Sequence, residues 1–292
     1  MMETMTPSEV EAADGCSARA LCYDAATGAP VVLFMPAMGV RADYYGDFAR
    51  SLQQAGLSAI VQELRGTGSS SVRAARGSDY GYRELIELDW PAAIDHARKR
   101  HPNSKLVMMG HSLGGQITCL HQARTQAEQR ADAIVMVACC SAHHGGYAFP
   151  RSLGIRAGTE LAHVVASTLG FFPGDRLGFG GRQGRRIIAD WAREARLGRY
   201  AVEGDDSDYR TLLSALETPA LSVSFEGDGL APRRTVDALC ARLAPGAVER
   251  WHLDAAELAL QHIDHFRWVR GGDALAPRLA AWIGQTLDAT DS

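Results

Sequence analysis

No run of roughly 18 apolar residues occurs in this 292-residue chain, so no membrane-spanning helix is expected. The opening stretch, MMETMTPSEVEAADG, lacks both a basic segment and an apolar one, so no secretory signal is expected. None of the six cysteines (Cys16, Cys22, Cys119, Cys139, Cys140 and Cys240) forms a C-x-x-C pair. Without a signal they read as reduced, mostly buried thiols in a cytoplasmic protein. Cys139 and Cys140 follow an apolar run and read as packed thiols, not nucleophiles. Lysine is almost missing, with Lys99 and Lys105 standing among many arginines, a bias from which no function is drawn. The net charge of −4 gives no basic excess, so no nucleic-acid partner is expected. His143 and His144 are neighbours and on a strand would point to opposite faces, so no metal site is expected there and no cofactor elsewhere. Gly66-Thr67-Gly68 has no third glycine opening a helix, so it does not read as a phosphate loop.

What is present is an alternation of short apolar runs with amphipathic segments. Pro30–Met35, Leu57–Leu64, Leu106–Met109, Ala133–Ala138, Ala220–Phe225 and Val248–Leu253 read as strands, most of them buried on both faces. Between them Asp43–Ala55, the stretch from Pro91 to about Arg100, and Pro232–Leu243 read as helices, with a last one over about Ala276–Leu287. The spacing predicts an α/β fold with a mostly parallel central sheet flanked by helices. Ser17–Tyr23 and Pro30–Met35 flank a turn-rich segment and are expected to pair as a hairpin; residues 1–15 are expected to fray. From Gly145 to about Glu217 the rhythm breaks and glycines crowd in. Two helix-like pieces, Leu161–Leu169 and Arg186–Leu197, suggest a mainly helical cap. The expected division is therefore core over 1–144, cap over 145–217 and core again over 218–292. Phe171, Phe172 and Trp191 either line an apolar pocket or pack the cap onto the core. Tyr80-Gly81-Tyr82 reads as a surface aromatic pair.

The chemistry centres on Lys105–Thr118, KLVMMGHSLGGQIT. Its G-x-S-x-G lies between an apolar run and a helix-like segment. A serine on such a tight turn stands clear of the sheet, and glycines on either side let strand and helix approach. Ser112 is the candidate nucleophile, and the Leu113 amide at the helix start would face a developing oxyanion. His111, beside it, is a candidate for substrate contact. A serine hydroxyl needs a base, and the base an acid to orient it. Asp228 follows a strand in a glycine-flanked turn, and His265 follows the last strand. His262 is the rival base; Asp254 and Asp264 are the rival acids. His265 is preferred because Phe266 and Trp268 suggest a packed loop around it, and Asp228 because of its place in the order Ser112, Asp228, His265. After Met35, Pro36 has no N–H, so a second oxyanion donor would be Ala37 or Met38.

GHSLGG, MPAMG, ELRGTGSS, FEGDGLAP and HFRW together resemble the α/β-hydrolase superfamily, in its bacterial esterase- and lipase-like serine-hydrolase branch. The resemblance spans nearly the whole chain. It implies an α/β-hydrolase fold, a triad of Ser112, Asp228 and His265, and an oxyanion hole of Leu113 with Ala37 or Met38. The chain departs from the pattern at Met35-Pro36, where relatives carry His-Gly, at Glu63, where they often carry Asp, and at Asp264, where Gly is common. The expected activity is hydrolysis of a small-molecule ester or thioester through an acyl-enzyme. An acyltransferase, cyclase or lyase with the same triad, and a non-catalytic binder on the same scaffold, stay open, as does a homodimer.

Overall fold

The computed structural model describes residues 5–290. Eight strands form one sheet in the order β1-β2-β4-β3-β5-β6-β9-β10. They are β1 (Thr6–Glu11), β2 (Ser17–Tyr23), β3 (Val31–Met35), β4 (Ser58–Gln62), β5 (Leu106–His111), β6 (Ala133–Val137), β9 (Ala220–Phe225) and β10 (Val248–Leu253). From β4 to β10 every neighbouring pair is parallel, whereas β1 and β2 run antiparallel along one edge. Every residue of β3, β4, β5, β6 and β9 is buried. That matches their largely apolar sequences, which suit strands covered on both faces.

The helices are α1 (Gly46–Gln54), the single turn α2 (Tyr82–Glu84), α3 (Trp90–Arg100), α4 (Leu113–Arg124), α5 (Arg151–Leu169), the short α6 (Gly174–Leu177), α7 (Arg185–Leu197), α8 (Tyr209–Ser214), α9 (Arg233–Cys240) and α10 (Gly272–Thr290). α1 packs on α10, α4 on β5 and β6, and α9 on β9. Helices α5 to α8 lie in the stretch between β6 and β9, together with a small antiparallel hairpin, β7 (Phe171–Pro173) and β8 (Arg182–Gly184).

Three expectations are corrected. The hairpin of residues 17–23 and 30–35 does not form, because β2 pairs with β1 and β4 while β3 sits between β4 and β5. The reason is burial. β2 hides Ala18, Ala20 and Cys22 but leaves Ser17, Arg19 and Leu21 partly or fully exposed, as suits a strand next to the edge strand β1, whereas VVLFM is buried throughout and takes the middle. The start does not fray within the described residues: Thr6–Glu11 pairs with β2, and Asp14 beyond it is held by the buried Arg65 at 2.7 Å. Arg65 also binds Asp89, at 2.6 Å. Tyr80 and Tyr82 are not at the surface but 2% and 1% exposed. Helix α7, more than a hundred residues on, lies against them. The Ile187 amide donates to the Tyr80 carbonyl and the Tyr82 amide to Asp190 Oδ2.

α7 is held to the core by two buried carboxylates. Asp190 accepts the amides of Tyr82 and Glu203, and burial pushes its pKa up to about 6. Glu194 accepts from Ser141 Oγ, the Ala142 amide and Arg242, at 2.7 to 2.8 Å. Among the described residues no helix is long and apolar enough to cross a membrane.

Candidate active site

β5 ends at His111, α4 begins at Leu113, and Ser112 is the whole of the turn between them. Its backbone sits at φ 52° and ψ −115°, a region that non-glycine residues seldom occupy and that costs on the order of 1–3 kcal/mol. The surroundings enforce it. A Cβ at Gly110 would run into the backbone of Gly114 and Gly115, and one at Gly114 into the carbonyls of Met35 and Pro36. Strand and helix meet here at a distance only glycine allows, and the serine is lifted out of the sheet. Its amide donates to the Val137 carbonyl at 3.0 Å, which ties the turn to β6. Leu113, as the first helical residue, has no carbonyl one turn back to take its N–H.

Asp228 lies three residues beyond β9, and its side chain is fully buried. Oδ1 accepts the amides of Leu230 and Ala231, at 2.8 and 2.9 Å. Oδ2 is 2.9 Å from His265 Nδ1. With Nδ1 so engaged, Nε2 is left for the other side of the ring, where His265 and Ser112 line the same cavity. The rivals are placed differently. His262 is exposed. Asp254 exchanges hydrogen bonds with Glu257, its Oδ1 taking that amide. Asp264 accepts the amides of Phe266 and Arg267 and so braces the turn after His265. Burial works to raise its pKa, but those amides and the Arg267 charge hold it below the usual carboxylate range.

Ala37 and Met38 both follow β3 and both line the cavity. The Ala37 amide is already committed: it donates to Tyr45 Oη at 3.1 Å. The same oxygen lies 2.8 Å from His111 Nδ1, and Trp268 Nε1 donates to His111 Nε2 at 3.4 Å. A single polar chain thus joins the loop after β3, the end of β5 and the histidine loop. His111 is therefore not a substrate contact. It is 0% exposed and stands between Tyr45 and Trp268, and burial drives its pKa well below the ordinary histidine value. Tyr45 was not singled out from sequence; nothing in ADYY distinguishes one tyrosine from the other until the fold brings residue 45 beside residue 111.

The cavity encloses about 590 Å³, well within the range of small-molecule sites. Ser112, Leu113 and Gln116 of the elbow and α4 form one part of its wall; residues of α5, Phe172, Phe179 and Trp191 form another. None of its lining residues is Asp, Glu, Lys or Arg. Several lining polar groups turn back to the protein: Gln116 Nε2 donates to the Cys140 carbonyl, Tyr147 Oη to the Leu230 carbonyl and Thr159 Oγ1 to the Arg156 carbonyl. Cys140 lines the wall as well, and burial pushes its thiol up to about 12, so it stays protonated at neutral pH. All six cysteines are buried and free. Of the three aromatics, Phe172 and Trp191 line the cavity and Phe171 does not; its ring carries the Arg182 guanidinium at 3.8 Å. At the mouth Leu161, Leu177, Phe179 and Phe266 are both cavity-lining and solvent-exposed.

Residues 28–191, more than half of the chain, match the family described as serine aminopeptidase, S33. The chain belongs to this family of α/β-hydrolases. The match takes in the Ser112 elbow and stops before Asp228 and His265. Solved structures agree on the fold. The α/β-hydrolase GrgF from Penicillium sp. sh18 is similar over 98% of this chain and 99% of its own, at 17% identity and a TM-score of 0.65. An esterase of Pyrococcus furiosus is similar over 99% and 91%, at 14% identity and a TM-score of 0.61. The thioesterase domain from the curacin biosynthetic pathway is similar over 96% and 100%, at 15% identity and a TM-score of 0.59. No curated protein matches the sequence. This S33-family chain is thus an α/β-hydrolase with an eight-stranded, mostly parallel sheet.

Proposed function

We propose that the protein is a serine hydrolase that cleaves an uncharged carboxylic ester or thioester through an acyl-enzyme on Ser112. The observation that carries this reading is the His265–Asp228 pair, 2.9 Å apart and buried, on the cavity that Ser112 also faces. Ser112 Oγ attacks the carbonyl carbon while His265 Nε2 takes its proton. Asp228 Oδ2 fixes the ring and stabilises the imidazolium. The carbonyl oxygen, now negative, is received by the amides of Leu113 and Met38, since the Ala37 amide is spent on Tyr45. His265 returns the proton to the departing alcohol or thiol. Water then repeats the sequence on the acyl-serine and releases the acid. The segment 145–217 acts as a cap that keeps bulk water from the acyl group.

The chemistry of the wall supports an ester over a peptide N-terminus. An aminopeptidase must hold its substrate's ammonium group, and no acidic side chain lines this cavity. Asp228 is buried behind His265 and engaged on both oxygens. A fluorophosphonate probe is expected to label the wild-type protein, and Ser112→Ala to abolish the labelling. Persistent labelling of the variant would reject the serine assignment.

A further inference from the structure

We propose that Gly158, assisted by Gly154 one turn earlier, sets the length and bulk of the acyl group that the cavity accepts. This deepens the hydrolase reading and rests on it for the kinetic arm of its test. The argument begins with the face of α5 that meets the cavity. Gly154, Ile155, Leu161 and Ala162 stand three or four residues on either side of Gly158, and all four line the cavity with it. Residues at those spacings are its neighbours on a helix surface. Gly158 is therefore the centre of the cavity-lining patch of α5, and a side chain placed there would narrow the cavity from its open side.

Glycine is, after proline, the residue least suited to a helix interior, so two of them on consecutive turns call for a cause. Backbone geometry is not the cause, since neither has a positive φ. Nor is close packing. A Cβ at either position meets no heavy atom within 4 Å, whereas one at Gly184 would strike the backbone of Tyr80. Further along α5 the small residue Ala166 is packed, against a cluster that includes Phe172 and Ile188. At Gly154 and Gly158 no protein atom fills the space that the missing side chains leave. Both glycines are solvent-exposed, so what they leave is room at the open side of the cavity, whose lining is mostly apolar and holds no Asp, Glu, Lys or Arg. The ligand that such room suits is an uncharged acyl chain, long or branched enough to reach α5 from the carbonyl held at Ser112.

The test compares p-nitrophenyl dodecanoate with p-nitrophenyl acetate. In Gly158→Leu the ratio of kcat/KM for the long ester over the short one is expected to fall at least tenfold. Gly158→Ala, which adds a single methyl to a helix that tolerates it, should shift the ratio in the same direction by less. A ratio within twofold of wild type in both variants would overturn the assignment. A binding arm removes the dependence on turnover. In a Ser112→Ala background, n-dodecanol and n-butanol compete with the dye 1-anilinonaphthalene-8-sulfonate. Gly158→Leu should weaken dodecanol at least tenfold relative to butanol, and equal weakening of both would overturn the proposal. If wild type hydrolyses neither ester but the alkanol preference shifts as expected, the hydrolase reading fails while Gly158 keeps its role. If esters are cleaved and neither ratio moves, Gly158 loses it.

Discussion

Ala37 and Met38 follow the same strand, and what separates them is one hydroxyl. Tyr45 Oη takes the Ala37 amide, which is why the proposed mechanism assigns the oxyanion to the Met38 amide. In Tyr45→Phe the buried Ala37 N–H loses its acceptor, which should cost about 1–3 kcal/mol. The drop is read as a shift of the urea unfolding midpoint at unchanged m-value. At this scale the sequence was informative wherever a residue type and its chain neighbours sufficed. Ser112, Asp228 and His265 could be singled out as candidates because each follows an apolar run, in a fixed order. His111 was misread because its environment is made by Tyr45 and Trp268, residues distant in sequence whose proximity no local pattern records.

Among the elements, α7 shows how the segment between β6 and β9 is fastened down. Glu194 on that helix is 1% exposed and binds Ser141, Ala142 and Arg242 of the core. Glu194→Ala would strand the Arg242 charge in a largely buried place, and such uncompensated charges cost roughly 3–5 kcal/mol. Thermal unfolding of the variant is expected to show a loss of that order, with the Ser141–Ala142 loop no longer held. Helix α7 itself was nearly fully legible, because Ile188, Ala192 and Ala195 mark one face. Helix α5 was only half legible: its glycines at 154 and 158 hid the stretch before Leu161, nearly three turns. The β7–β8 hairpin was missed altogether, since three residues a side give no alternation to detect.

For the molecule as a whole, stability should depend on pH through histidines buried in the neutral state. His121 on α4 is set against the Ile86 carbonyl at 2.9 Å, and burial lowers its pKa from 6.5 to about 4. The unfolded chain takes up this proton near 6.5 and the folded chain only near 4. Stability from this group is therefore complete above 6.5 and is lost as the pH falls toward 4. At about 1.4 kcal/mol per pK unit the loss is about 3 kcal/mol. Asp190, raised to about 6, acts in the opposite sense over much of the same range, so the informative quantity is a difference. His121→Asn keeps a donor for Ile86 without the titration. Its melting temperature should fall less steeply than that of wild type between pH 6.5 and 4. The sheet was legible in the runs that are apolar throughout, because burial on both faces leaves no other strand type. Strand order was not, and the antiparallel β1–β2 edge least of all, since pairing partners are chosen by the whole fold.

The topology has one further consequence. β9 and β10, which lead into Asp228 and His265, are the last of the described strands, while the elbow at Ser112 follows β5. As the polypeptide leaves the ribosome, Ser112 emerges more than a hundred residues before Asp228 and His265. A chain synthesised only through the elbow therefore lacks Asp228 and His265, and the candidate site assembles only with the strands that complete the sheet.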